Sequence, residues 1–311
     1  MAGIWIYSED EVVAKELLTL AKELAAQSQE SIGAVALGET AAEALAELGA
    51  EKVIALKGGL AWEEAYEQAL AETFKSEAAK VILIGGTTRG KYTAAKAAAR
   101  LEAGLITDAV KIEMEPGQLI VDRIVFGGLA VSTEEIVLPA MVTIPPHSYE
   151  MMAHAAVKGS ITVREVTVDP RLTISNVSKV ERQGMDISSA DRVIGIGRGV
   201  AKQEDLTMIQ NLADVLQAEI GCTRPISEDL KWFSIDRYIG ISGKVIKGSL
   251  YVAIGTSGQI QHVSGIRDSK IIVAVNTNEN EPIFTAADYG IVGSYEEFIP
   301  AFIDALKQAK Q

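Results

Sequence analysis

Two glycine-rich loops each follow a short apolar run. Val193-Ile194-Gly195-Ile196 leads into Gly197-Arg198-Gly199, and Leu250-Tyr251-Val252-Ala253-Ile254 leads into Gly255-Thr256-Ser257-Gly258. Small residues after a strand let backbone N–H groups approach a phosphate, and a helix starting there favours an anion. Ser257 either adds a hydroxyl donor or caps that helix. Gln261 and His262 then fall one turn into it. The first loop is Gly-x-Gly-x-Gly, not Gly-x-Gly-x-x-Gly. It has no acidic partner at the end of a second strand, about twenty residues on, to hold a ribose. It reads as a tight strand-to-helix turn in which glycine permits positive φ.

Arg224 stands in Gly221-Cys222-Thr223-Arg224-Pro225. One reading makes it a surface arginine at a helix C-terminus, where positive charge is favoured. Against a freely solvated tail, Pro225 fixes the turn. Other chemistry is sparse. The single cysteine, Cys222, excludes an internal disulfide and a thiolate cluster. His147, His154 and His262 are too scattered for a metal site. His147 and His154, seven apart, fit a shared helix face in a packed or solvated role. No Ser-His-Asp or Cys-His constellation is present.

The elements around these residues divide in two. Strands are expected at Gly3–Tyr7, Gly33–Leu37, Lys52–Leu56 and Val81–Ile84. Helices are expected at Glu11–Ala26, Ala41–Leu48, Trp62–Phe74 and Tyr92–Leu101. Such alternation implies right-handed crossovers and a parallel sheet. A strand-rich stretch follows, at Ala109–Glu113, Gln118–Phe126, Ile136–Ile144 and Ser160–Val168. Asp169–Ala190 is polar and aperiodic, and reads as a linker. A new βα pattern then starts: strand Arg192–Ile196, helix Leu206–Ile220, strands Tyr238–Ile241, Leu250–Ile254 and Ile271–Val275, and a last helix Tyr295–Lys307. The expectation is an α/β chain of two domains, residues 1–185 and 190–311, each a mostly parallel sheet flanked by helices, the second doubly wound.

Composition agrees. The chain has 311 residues, 48% hydrophobic and only 5% aromatic, which suits Val, Ile, Leu and Ala cores between helices and sheets. The net charge of -13 argues against nucleic acid or anionic membrane as partner. About -3 of it falls from Asp191 onward, 12 bases against 15 acids. No apolar run reaches the roughly 18 residues of a membrane span. The start Met1-Ala2-Gly3-Ile4-Trp5 reads as a strand and not a signal peptide, which points to the cytoplasm of a prokaryote.

Four motifs, in order over Gly221–Ser294, carry a family resemblance. They are Gly221-Cys222-Thr223-Arg224, Gly240-Ile241-Ser242-Gly243-Lys244, Gly255-Thr256-Ser257-Gly258-Gln259-Ile260-Gln261-His262, and Asn276 followed by Ala287-Asp288-Tyr289-Gly290. Together they resemble the FAD-binding domain of the electron transfer flavoprotein alpha subunit. In the first half, Gly85-Gly86-Thr87, Gly90-Lys91 and Leu101–Asp108 resemble that family's domain I. Members tied to carnitine metabolism or nitrogen fixation look closest.

The resemblance implies one FAD, with its pyrophosphate at Gly255, Thr256, Ser257 and Gly258. It implies that Arg224 lies against the isoalloxazine, that the Ser242 hydroxyl bonds N5, and that Thr223, Ile241 and Gly243 are also cofactor-binding. It places His262 at the pyrimidine edge and Asn276 near the adenosine ribose, and counts Gln261 and Ser294 among the cofactor-binding residues. Ile241, Thr277 and Ser294 stand where many members have Gln, Lys and Asp. The implied function is electron transfer, more carrier than enzyme. A beta subunit holding AMP or a second FAD is the partner. The donor is a flavin dehydrogenase of the acyl-CoA dehydrogenase type, as in fatty acid oxidation, and the acceptor is quinone- or ferredoxin-linked. Alternatives are an electron-bifurcating subunit with NADH as donor, an NAD-dependent oxidoreductase, and a cofactor-free interaction protein on the same scaffold.

Overall fold

The computed structural model describes residues 3–59, 63–126, 129–151, 158–169, 171–176 and 186–309. The chain divides into two compact units, residues 1–177 and 178–311. The division falls earlier than the expected boundary near 185. Most of the later half of the expected linker, and His154, lie outside the described residues.

The first unit runs β1 (Ile4–Tyr7), α1 (Glu11–Ser28), β2 (Ile32–Leu37), α2 (Glu39–Glu47), β3 (Lys52–Lys57), α3 (Glu67–Ser76), β4 (Val81–Gly85), α4 (Thr88–Leu101), β5 (Gly104–Ile106), β6 (Ala109–Glu115), β7 (Gln118–Val125), β8 (Ala130–Val137), β9 (Ala140–Ile144) and β10 (Ser160–Glu165). Seven strands form a parallel sheet in the order β10-β3-β2-β1-β4-β9-β5. β6, β7 and β8 form a separate antiparallel sheet. β1, β4 and β9 are buried along their whole length, as continuous apolar runs covered on both faces should be. The Asp10 carboxylate caps α1 by accepting from the N–H groups of Val12 and Val13, and Val13, Leu17, Leu20 and Leu24 are buried in the core. The run Ile136–Ile144, expected as one strand, is two. Pro139 has no N–H to give a ladder, and the chain leaves the antiparallel sheet there and re-enters the parallel one.

The second unit runs β11 (Arg192–Ile196), α5 (Leu206–Leu216), β12 (Glu219–Cys222), α6 (Arg224–Glu228), β13 (Leu250–Ile254), α7 (Ile260–Val263), β14 (Ile272–Asn276), α8 (Ile283–Ala286), β15 (Tyr289–Val292) and α9 (Tyr295–Ala309). All its strands are parallel, in the order β12-β11-β13-β14-β15. From β11 the chain moves one way to β12 and then crosses back to β13. That reversal makes a topological switch point between β11 and β13, where open α/β sheets bind ligands beyond the carboxyl ends of their strands.

Two expectations are corrected here. Leu206–Ile220 is not one helix. Gln217 adopts the left-handed conformation with φ 52°, which ends α5, and Glu219–Cys222 becomes an edge strand. Tyr238–Ile241 is not a strand. It enters a loop held by isolated bridges of Tyr238 to Cys222 and of Ile239 to Lys244.

Small residues align across the middle of the second sheet. Gly221 pairs with Gly195, Gly195 with Ala253, Ala253 with Ala274, and Ala274 with Gly290. On the same face sit Val193, Tyr251 and Ile272, so the row is a shallow trough between larger side chains.

Candidate functional site: the carboxyl edge of the second sheet

Every residue expected at the cofactor lies on loops at this edge or on segments tied to them. Gly197–Gly199 follows β11, Thr223 and Arg224 follow β12, Gly255–Gly258 follows β13, Asn276 ends β14, and Ser294 follows β15. Backbone bonds stitch the loops together. Gly197 N–H donates to Ile254 O and Gly199 N–H to Gly255 O, each at 2.9 Å. Thr223 N–H donates to Ile196 O at 2.9 Å, Gly293 N–H to Asn276 O at 3.0 Å, and Ile241 N–H to Gln261 O at 2.8 Å.

Glycine is required where the two central loops meet. Gly255 has φ +61° and Gly258 φ +79°, in the left-handed region. A Cβ on Gly197 would stand 2.4 Å from Gly255 O and 2.7 Å from Thr256 Cα.

The Gly255–Gly258 loop leaves several hydrogen-bond donors unpaired. Gly255 N–H is engaged by Val275 O at 2.9 Å. The N–H groups of Thr256, Ser257 and Gly258 make no hydrogen bond among the described residues. The Thr256 hydroxyl is buried beside them, 1% exposed as a residue, and also unpartnered. Three open donors and an orphaned buried hydroxyl fit a phosphate group, as the pyrophosphate of FAD requires. The support expected from a helix is slight, because α7 has only four residues. Ser257 is exposed and makes no cap bond to α7, so its capping role is absent.

Arg224 differs from its helix C-terminal reading. It opens α6 directly after β12, where the helix dipole disfavours a cation. Its side chain is 62% exposed and paired with Glu228, Nε to Oε2 2.7 Å. Thr223 is the residue before the helix, and its hydroxyl makes no cap bond. Ile241, Ser242 and Gly243 form an exposed turn, with Gly243 N–H on Gly240 O at 2.9 Å and Ser242 Oγ 3.4 Å from the Tyr238 hydroxyl. Lys244 anchors the end of this turn on Asp186 at 2.8 Å. Against the desolvation of burial, the Lys244 ammonium and Ser188 pull the Asp186 carboxyl down to about 2.

Three other residues have inward engagements. The Asn276 amide donates to Thr256 O at 2.9 Å and its oxygen accepts from Asn278 N–H at 3.0 Å, so it braces the Gly255–Gly258 loop from β14. Ser294 bonds the Glu296 side chain and accepts from its N–H at 3.1 Å, acting as a cap for α9. Gln261 is exposed, but His262 is buried and both ring nitrogens have partners in the chain. Burial, partly offset by the bond to Ile239, pushes the His262 pKa down to about 4, so the ring is neutral at pH 7. Sequence reasoning passed over Tyr251, the partner of that ring. Its signal is a tyrosine inside a strand that lies beside Gly195.

A groove of about 1480 Å³ lies elsewhere, between α5, β12 and the segment after α6, lined by Trp232, Phe233 and Arg237 among others. It contains none of the expected cofactor residues.

Cys222, fully buried at the end of β12, is a built-in reporter of this unit. Burial pushes its thiol up to about 12, against the bond to Ser227 and the charge of Arg237. Folded protein at pH 8 is expected to resist a thiol reagent at least about a hundredfold more than urea-unfolded protein, since the thiolate is the reacting form. Equal labelling rates would mean that the edge is open to solvent.

Comparison with known proteins agrees with this architecture. Residues 5–170 match the electron transfer flavoprotein domain, and residues 186–267 match the electron transfer flavoprotein FAD-binding domain. A protein of Escherichia coli (strain K12) named as an electron transfer flavoprotein subunit, YdiR, is 35% identical over 98% of each chain. Protein FixB of Escherichia coli O157:H7 and that of Shigella flexneri are each 34% identical over 97% of each chain. With both domains matched in order and relatives aligned nearly end to end, the chain belongs to the electron transfer flavoprotein family, as an alpha-subunit-type member.

Proposed function

We propose that this chain is the FAD-holding subunit of a heterodimeric electron transfer flavoprotein. It pairs with a beta subunit that carries AMP or a second FAD. It takes electrons from a flavin dehydrogenase of the acyl-CoA dehydrogenase type and passes them to a quinone- or ferredoxin-linked acceptor in the cytoplasm. The observation that carries the reading is the switch-point loop, whose consecutive residues leave three N–H groups and the buried Thr256 hydroxyl without partners among the described residues. When bound, FAD supplies the one- and two-electron chemistry. The chain's own residues bind and orient it: Gly255–Gly258 the phosphates, Asn276 the loop from behind, Ser242 and Arg224 the ring end. The test is coexpression with the beta subunit and a visible spectrum of the purified complex. One FAD is expected on this chain beyond any held by the partner; a colourless complex, or flavin on the partner alone, would sink the reading.

Arg224 gives the ring end a charge to test. A permanent cation favours added negative charge on reduction, and Glu228 opposes it. Arg224→Ala is expected to lower the flavin reduction potential and Glu228→Gln to raise it, each by about 30–60 mV, where 59 mV is tenfold for a one-electron couple. Spectroelectrochemistry decides. Potentials that move together, or stay put with FAD bound, would remove Arg224 from the ring.

A further inference from the structure

Tyr251 is fully buried within β13, and a buried tyrosine hydroxyl needs a partner. Its oxygen lies 2.8 Å from His262 Nε2, while His262 Nδ1 lies 3.1 Å from the carbonyl oxygen of Ile239. A carbonyl only accepts, so Nδ1 carries the ring proton and Nε2 accepts from the Tyr251 hydroxyl. The trough of small residues makes room for this chain of bonds. A Cβ at Gly195 would stand 1.6 Å from the Tyr251 hydroxyl oxygen, and one at Gly221 2.4 Å from Ile239 Cδ1.

Ile239 begins the segment that presents Ser242. Its N–H donates to Cys222 O at 2.9 Å, so the sheet holds one side of it and His262 the other. Two residues on, Ile241 N–H donates to Gln261 O at 2.8 Å. Gly240 N–H donates to Lys244 O at 3.1 Å and closes the turn. The segment therefore hangs on α7 through adjacent residues, one by backbone and one by imidazole.

We propose that Tyr251 is a positioning residue for the flavin-ring end of the site: it holds His262 in the Nδ1–H tautomer, and His262 fixes the Ile239–Lys244 segment that carries Ser242. The inference rests on the FAD reading above. It assigns His262 an action on the ring through this segment, since Tyr251 already engages Nε2.

The experiment uses the full chain with its beta subunit and saturating FAD, in a His147→Gln, His154→Gln background that leaves one imidazole in this chain. If the beta subunit contributes histidines, only this chain is labelled with ¹⁵N. The His262 nitrogens are expected to show the neutral Nδ1–H tautomer with Nε2 as an acceptor, with and without FAD. Tyr251→Phe should shift the Nε2 resonance to that of a free acceptor. It should weaken FAD retention roughly three- to tenfold, the weight of one hydrogen bond, and change the oxidised-to-reduced flavin ratio at fixed potential roughly two- to fivefold. His262→Gln, whose amide can accept from Tyr251 and donate to Ile239, should keep most of the wild-type ratio, and His262→Leu should lose it. A purely structural role would change stability and leave the ratio alone. Tyr251→Phe matching wild type in both the resonance and the ratio would overturn the proposal, as would a switch of His262 to the Nε2–H tautomer on FAD loading. A complex without flavin would sink the FAD reading it rests on, and the nitrogen signature would then still report the tie by itself.

Discussion

Gly197→Ala is expected to yield a chain that retains no flavin while its first unit stays folded. The glycine's backbone needs no unusual φ, so the effect is steric alone. The new methyl carbon would stand 2.4 Å from Gly255 O and 2.7 Å from Thr256 Cα, both backbone atoms. Neither loop can step aside cheaply. Gly197 N–H is bonded to Ile254 O, Gly199 N–H to Gly255 O, and Asn276 pins Thr256 O from behind. Relief would come by prising apart β11 and β13 at the switch point, which displaces the open N–H groups. Overpacking of this kind costs about 1–3 kcal/mol of stability, and losing several phosphate donors should weaken FAD binding by at least about a hundredfold. Gly293→Ala is the control, since it lies on the same edge and a Cβ there meets nothing within 4 Å. The flavin-to-protein ratio after gel filtration is the measurement. Stoichiometric flavin in Gly197→Ala would show that the anion seat lies elsewhere.

The Gly197–Gly199 and Gly255–Gly258 loops are legible in the sequence because each follows a strand rich in branched residues and breaks on glycine. The elements between them were less so. β12 is four residues long, and its Glu219-Ile220 continues the apolar spacing of α5, so only the left-handed Gln217 separates helix from strand. β15 is an edge strand of mixed exposure, Tyr289 and Val292 facing solvent, and its pattern resembles a turn. Pro139 divides β8 from β9 although branched residues run through both. The roles of side chains were hidden for another reason. Ser294 and Asn276 look like ligands to a nucleoside by type and position, yet each is engaged with neighbours two residues on, contacts that depend on turn geometry. His262 looks available because its partner Tyr251 lies eleven residues earlier, and their meeting depends on Gly195 in the neighbouring strand β11.

His262 also sets how the second unit responds to acid. Its folded pKa is lowered, to about 4 from an ordinary 6.5, because burial disfavours the charged ring. The folded state therefore binds its proton more weakly than the unfolded chain does. Stability is fully present above pH 6.5 and is lost as the pH falls from 6.5 toward 4, where the unfolded state holds the extra proton. At 1.36 kcal/mol per pKa unit the window is worth about 3 kcal/mol. The hydrogen bonds do not prevent this loss. A charged ring would need the Tyr251 hydroxyl to turn and accept, which a hydroxyl can do, so the cost comes from desolvation. The lowered carboxylate of Asp186 works in the same direction but lower on the scale. Its stability is lost only between 3.8 and about 2, so the two regions separate. Urea unfolding followed by exposure of Cys222 reads this unit specifically. The wild-type midpoint is expected to fall between pH 6.5 and 4.5, and that of His262→Gln, which cannot titrate, to stay nearly level over the same range. Parallel slopes in the two proteins would mean that the imidazole is hydrated in the folded state and that the bonds to Tyr251 and Ile239 do not hold it inside.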